Sequence, residues 1–357
     1  MNSRFIIFLL VFIALLACER EDPITTEFDK STGVFILNEG NFTYGNASLS
    51  FLDLETGEIE NQVFYQANGF PLGDVAYSMT IMDTVAFISI NNSGKVFSIN
   101  TNTFEHIGTL AGLVSPRYIE IINPTKGYIS DLYSTVLIEF NPKSLQISDS
   151  VIVGRSTEQM VYYKNHLYVN SWSFGNEVIK INTETNQVVD AVQVNKQPNS
   201  MVLDKNNMLW VLSDGGYEGS QLGVDYPALT QINPETLEIN KTIQFPSKSG
   251  SPNNLTLNET LDSLLFLYGS WSGEDGFESG IYKLAITDSE LPASPLIPEG
   301  DHLFYKMGID HTNSSIYVSD ALDYLQKGYV FRYNPDGSMI DSLQADRIPG
   351  FFTFKLK

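Results

Sequence analysis

Aromatic side chains set among amides, hydroxyls and glycines recur through this sequence in short clusters. The stretch 38–46 carries Phe42 and Tyr44 between Asn41 and Asn46, and 130–134 carries Tyr133. Trp172 and Phe174 lie within 170–176, Tyr217 and Tyr226 within 213–226, Trp271 within 269–277, and Tyr324 closes 319–324. One further stretch, Asn91-Asn92-Ser93-Gly94, has amides and no ring. Rigid rings beside adaptable hydrogen-bonding neighbours recognise ligands at small entropic cost. The chemistry indicated is non-covalent capture of a small molecule. The candidate contacts are Asn41, Tyr44, Asn91, Tyr133, Trp172, Phe174, Tyr217, Tyr226, Trp271 and Tyr324, joined by Arg117, which follows a proline in an inter-repeat link.

Signals for catalysis are weaker. There is no G-x-S-x-G nucleophile elbow. The four histidines are His106, His166, His302 and His311, and no two have metal-ligand spacing. Only His302, in Glu299-Gly300-Asp301-His302, falls near the aromatic clusters, and it reads as a surface residue. Asp214, Asp225, Glu274, Asp275 and Asp320 could offer oxygens to calcium, but no loop has the EF-hand spacing. No cofactor is required by any motif, and binding is favoured over catalysis. Lys and Arg total 21 against 42 Asp and Glu, a net charge of −21, which argues against nucleic acid as partner.

These clusters need a scaffold, and an internal repeat supplies one. An apolar residue, then Asn or Asp, then two residues, then Thr or Ser recurs with its second position at Asp53, Asn100, Asn141, Asn182 and Asn233, and in decayed form at Ala285 and Asn334. The spacing of 41 to 52 residues suits a four-stranded propeller blade. Each signature lies between two strand-like runs and marks the hairpin tip between the third and fourth strands. Strands within a blade are lettered A to D from the axis outward. The fold class is all-β, a seven-bladed β-propeller. Links such as Ser115-Pro116-Arg117, Gln197-Pro198-Asn199 and Ser251-Pro252-Asn253 precede the innermost strands. The C-terminus repeats that link at Ile348-Pro349-Gly350 and ends after one strand, whereas the first blade opens at its second strand, Gly33–Leu37. The C-terminal strand is therefore expected to complete the first blade and remove an open edge. In this arrangement every aromatic cluster is a B–C connection, and all of them share one face with the D–A links.

The N-terminus reads as a separate signal. Arg4 is followed by a continuous apolar run, Phe5–Ala17, too short for a comfortable membrane span. Leu15-Leu16-Ala17-Cys18 resembles a bacterial lipobox, which would make Cys18 the lipidation site. Glu19-Arg20-Glu21-Asp22 resembles the surface-export signal of Bacteroidetes lipoproteins. The expected organisation is a signal peptide and lipobox over 1–18, a tether over 19–32 and the propeller over 33–357, on the outer membrane surface. With Cys18 as the lone cysteine, no disulfide framework exists.

From Gly33 onward, Gly33-Val34-Phe35-Ile36-Leu37-Asn38-Glu39-Gly40-Asn41, Ala47-Ser48-Leu49-Ser50-Phe51 and Gly73-Asp74-Val75 resemble the YncE-like propellers of Bacteroidetes surface lipoproteins. That group includes BtuG-type proteins. The resemblance implies capture of a corrinoid (vitamin B12 class) and its transfer to an outer-membrane TonB-dependent transporter. The opening motif marks the wider family and does not specify the ligand. Two other classes remain open: a lactonase-like propeller hydrolase with a divalent metal, and a docking propeller for a protein or glycan.

Overall fold

The computed structural model describes residues 32–270 and 276–356. Cys18, the signal peptide and all of the tether but Thr32 lie outside the described residues, as do Trp271, Glu274 and Asp275.

Seven four-stranded antiparallel sheets form the seven blades expected from the repeat. The innermost strands are Pro349–Lys355, Ala76–Met82, Pro116–Asn123, Met160–Tyr163, Pro198–Leu203, Gly250–Leu257 and Phe304–Ile309, for blades one to seven. The C-terminal strand closes blade one as its strand A. It pairs antiparallel with Gly33–Asn38, from Gly33 opposite Lys355 to Asn38 opposite Pro349. Proline opens strand A in blades one, three and five, where a missing N–H costs no ladder bond. Pro252 instead stands third in its strand. Strand D of blade one is only Ile59–Glu60, and the chain then turns through a short helix, Val63–Asn68, that the repeat did not foreshadow. The helix packs Phe64 flat on Phe97 of blade two.

The core is a ring of seven apolar clusters, one in each interface between neighbouring blades. Period-two alternation explains why a strand such as Gly33–Asn38 is apolar almost throughout. Phe35 and Leu37 face the blade-two side, and Val34 and Ile36 face blade seven. Both faces of a blade are covered, so the middle strands read as continuous apolar runs, whereas outer strands such as Gln187–Gln193 are exposed.

The repeat signature has a physical cause. At five tips the Asn or Asp side chain accepts backbone N–H groups two and three residues on: Asp53, Asn100, Asn141, Asn182 and Asn233. The residue four positions on has positive φ and donates its N–H back to the signature carbonyl. Four lysines then tie one blade to the tip of the next. Lys126 Nζ donates to Thr183 O, Lys180 Nζ to Pro234 O and Glu235 O, Lys241 Nζ to Asp288 O, and Lys355 Nζ to Thr101 O.

Candidate functional site

B–C connections and D–A links meet on one face through backbone hydrogen bonds. Glu39 N–H donates to Ile348 O, Asn91 to Val75, Leu132 to Ser115, Gln197 to Gly175, and Ala321 to Leu303. Gly40 allows the first of these loops to turn. Its φ is +71°, and a Cβ there would stand 2.7 Å from the Ala47 backbone nitrogen.

The expected aromatic asymmetry is present. Phe42, Tyr44, Tyr133, Phe174, Tyr217 and Tyr324 are 39 to 77 % exposed, and all lie in B–C connections. The other exposed aromatics among the described residues are Tyr65 and Phe70, in and beside the short helix. None occurs on the A–B or C–D turns of the opposite face among the described residues.

Two cavities open on the aromatic face. One, of about 510 Å³, runs along the propeller axis. The other, of about 670 Å³, lies under the long blade-five connection. Trp172, Asp214 and Ser251 belong to the walls of both. Trp172 is held by its indole N–H, which donates to Asp214 Oδ2 at 3.0 Å. Asp214 also accepts the Gly216 N–H, and burial raises its pKa. Tyr217 is in the second wall with Lys248 and Glu218.

The remaining sequence candidates fall into distinct settings. Asn41 donates to Tyr324 O at 2.6 Å and so links blade one to blade seven. Asn91 is buried, with its amide donating to Ser115 Oγ at 2.8 Å and to Pro116 O, so it holds its own loop and presents nothing outward. Tyr226 is half-buried beneath Lys248, whose ammonium is 4.9 Å from the ring centroid. Phe277 turns inward and stacks on Tyr282. His302 bonds Asp320 Oδ2 at 3.0 Å and stacks on Phe304, a packing role. Asp214, Asp225 and Asp320 do not converge, and among the described residues no three His, Cys, Asp or Glu groups form a metal-donor set.

Arg117 lies in the axial cavity at the centre of a network that the sequence did not reveal. Its Nε donates to both Glu158 oxygens at 2.9 Å, its Nη2 donates to Glu158 Oε1 at 2.6 Å, and Tyr77 donates to the same Oε1 at 2.8 Å. Burial would lower the Arg117 pKa, but the Glu158 charge overrides it and the net shift is upward. Burial raises Tyr77 strongly, and it pushes Tyr118 up to about 12. Across the cavity, Glu39 accepts the Tyr305 hydroxyl at 3.0 Å. Burial raises the Glu39 pKa against the opposing pull of Lys306. His311, whose pKa burial lowers, lines the same cavity. Tyr77, Tyr118, Tyr305 and Lys306 stand on strand A of blades two, three and seven, Glu158 in the D–A link before blade four, Glu39 at the start of the blade-one B–C connection and His311 in the A–B turn of blade seven. Their one sequence signal was a charge in an otherwise apolar inner strand, as at Arg117, Glu120 and Lys306.

Solved structures share this architecture. A quinoprotein alcohol dehydrogenase-like protein from Bacteroides thetaiotaomicron has a TM-score of 0.68 at 14% identity, over 91% of this chain and 79% of that one. The periplasmic gluconolactonase of Pseudomonas aeruginosa has a TM-score of 0.67 at 10% identity, over 90% and 99%. A putative 6-phosphogluconolactonase from Bacteroides fragilis has a TM-score of 0.63 at 13% identity, over 93% and 99%. At these identities the likeness is one of fold alone. No curated protein matches the sequence. A family match spans residues 32–333, nearly the whole propeller, and by it the chain belongs to the family described as a domain of unknown function, DUF5074.

Proposed function

We propose that this propeller is a surface-exposed, lipid-anchored capture protein. In this reading it binds a corrinoid across the B–C face and passes it to a TonB-dependent outer-membrane transporter. The observation that carries the proposal is the gathering of exposed aromatics on the face where two cavities adjoin at Trp172 and Asp214. A corrin is a wide disc fringed with carboxamides. Rings can cover its faces while loop amides, hydroxyls and backbone groups meet its fringe, which avoids the cost of unpaired buried amides.

Isothermal titration of the purified protein with cyanocobalamin tests the reading. Heat of binding and colour retained through gel filtration are expected; neither appearing would remove corrinoid capture. Anchoring is tested separately by Cys18→Ser, which is expected to release the protein from the membrane fraction. The gluconolactonases of similar fold suggest hydrolysis as the other reading. Turnover of a gluconolactone by the purified protein would favour it.

A further inference from the structure

Gln197 ends the link from blade four to blade five, and its backbone is fixed on both sides. Its N–H donates to Gly175 O at 2.8 Å, and its carbonyl accepts the Asp214 N–H at 3.1 Å. Its φ is +53°, a conformation that glycine adopts more readily. A side chain kept at such a position points to a use for that side chain. The residue is only 7 % exposed, yet its amide makes no hydrogen bond among the described residues. Neither amide atom is sealed in the interior. The amide carbon stands 3.8 Å from the place that a Cβ on Gly216 would take. Gln197 and Gly216 both line the cavity of about 670 Å³ under the blade-five connection, so the free amide faces that cavity. An amide this buried is costly unless what enters the cavity meets it.

The rest of the wall limits what that can be. Trp172 and Tyr217 supply rings. Asp214 is already engaged, with one oxygen on the Trp172 indole and the other on the Gly216 N–H. Two carboxyl groups, Asp214 and Glu218, stand against the single ammonium of Lys248, which disfavours an anion. A glutamine amide presents a donor and an acceptor side by side in one plane. The group that satisfies both at once is another planar amide.

We infer that this cavity is a subsite for a neutral carboxamide, paired edge to edge with Gln197 and covered by Trp172 and Tyr217. A carboxamide on the fringe of a corrin and a carboxamide on a separate aromatic ring share this chemistry. The first source rests on the capture reading above.

Ligand-observed NMR titration of the whole protein with nicotinamide, nicotinate and methyl nicotinate tests the subsite. Nicotinamide carries the amide on a planar ring, nicotinate replaces it with a charge, and the ester lacks the N–H donors. Nicotinamide is expected to bind about tenfold more tightly than either; measurable but equal binding of the three overturns the subsite, with no mutation needed. Gln197→Met keeps an unbranched chain of similar length and removes both polar groups. It is expected to weaken nicotinamide about tenfold, about 1.4 kcal/mol, at an unchanged urea midpoint. Titration of both proteins with cyanocobalamin separates the sources. Weaker cyanocobalamin binding in the variant assigns the subsite to the corrin fringe. Equal cyanocobalamin affinity, with nicotinamide still dependent on Gln197, assigns it to a separate ring amide. Selective nicotinamide binding with no cyanocobalamin binding to wild type removes the capture reading and leaves the subsite standing. No dependence on Gln197 for either ligand overturns the subsite.

Discussion

Arg117 and Glu158 form a forked ion pair between blade three and the entry to blade four, with Arg117 Nε at 2.9 Å from both carboxylate oxygens. Tyr77 of blade two shares the Glu158 oxygen at 2.8 Å, so a single carboxylate fastens three blades at the mouth of the axial cavity. The two charged side chains are 12 and 4 % exposed. At that burial, the cost of removing one partner is set by the charge left behind.

Glu158→Ala is therefore expected to destabilise the fold by about 3–5 kcal/mol, because the Arg117 charge stays buried and unpaired. The paired replacement Arg117→Leu with Glu158→Leu should recover most of that loss. Urea unfolding followed by tryptophan fluorescence reads both, and a single mutant as stable as wild type would refute the coupling.

Glu120 gives a pH dependence. It has no hydrogen-bond or ion-pair partner among the described residues, and burial pushes its pKa up to about 7 from 4.5. The unfolded chain ionises first as pH rises, so the contribution of Glu120 to stability is complete below 4.5 and is lost between there and about 7. Glu120→Gln removes this loss. The variant should be more stable than wild type above neutrality by about 2 kcal/mol and equal to it in acid. Thermal unfolding across that range checks the sign.

The blade tips are graded. Asn182 accepts the Glu184 and Thr185 N–H groups at 2.9 and 3.0 Å. Asn182→Ala should cost about 1 kcal/mol. At the blade-seven tip the Ser338 N–H goes to Asp336 and the Asn334 side chain bonds only the Ser338 hydroxyl, so Asn334→Ala should cost visibly less. Urea midpoints of the two variants rank them.

On the aromatic face, Phe174→Ala and Tyr217→Ala should each weaken cyanocobalamin binding about tenfold or more. Both rings are solvent-exposed, so stability should change by no more than about 0.5 kcal/mol. Trp172→Phe keeps a ring and removes only the bond to Asp214, so it separates positioning from contact. Affinity by titration and stability by unfolding are read on the same samples.

Removing the chain from Pro349 onward should expose the inner edge of Gly33–Asn38, all six residues of which are buried in the complete protein. An open apolar edge invites pairing with other chains. Gel filtration of the truncated protein should show soluble aggregate in place of monomer.

The architecture was legible because each blade writes its own local signature. Asp53, Asn100, Asn141, Asn182 and Asn233 do their work on backbone groups two and three residues away, and that kind of bond leaves a mark in sequence. The exposed rings were legible for the same reason, since each sits within one short connection. The axial network was not. Tyr77, Arg117 and Glu158 are about forty residues apart from one to the next and meet only when the ring closes. Asn91 looked like a loop amide free to bind, but its side chain is drawn inward by Ser115 and Pro116, partners in the link that follows its own blade.

The strand made last lies beside the strand made first. As the chain emerges from the ribosome, Gly33–Asn38 must wait for Pro349–Lys355, so six blades can stack while the seventh interface stays unlatched. Long-range closure of this kind slows the final folding step. It also leaves the chain in a loose form until Pro349–Lys355 is in place, and makes the docking of that strand the single event that turns the loose form into the locked one.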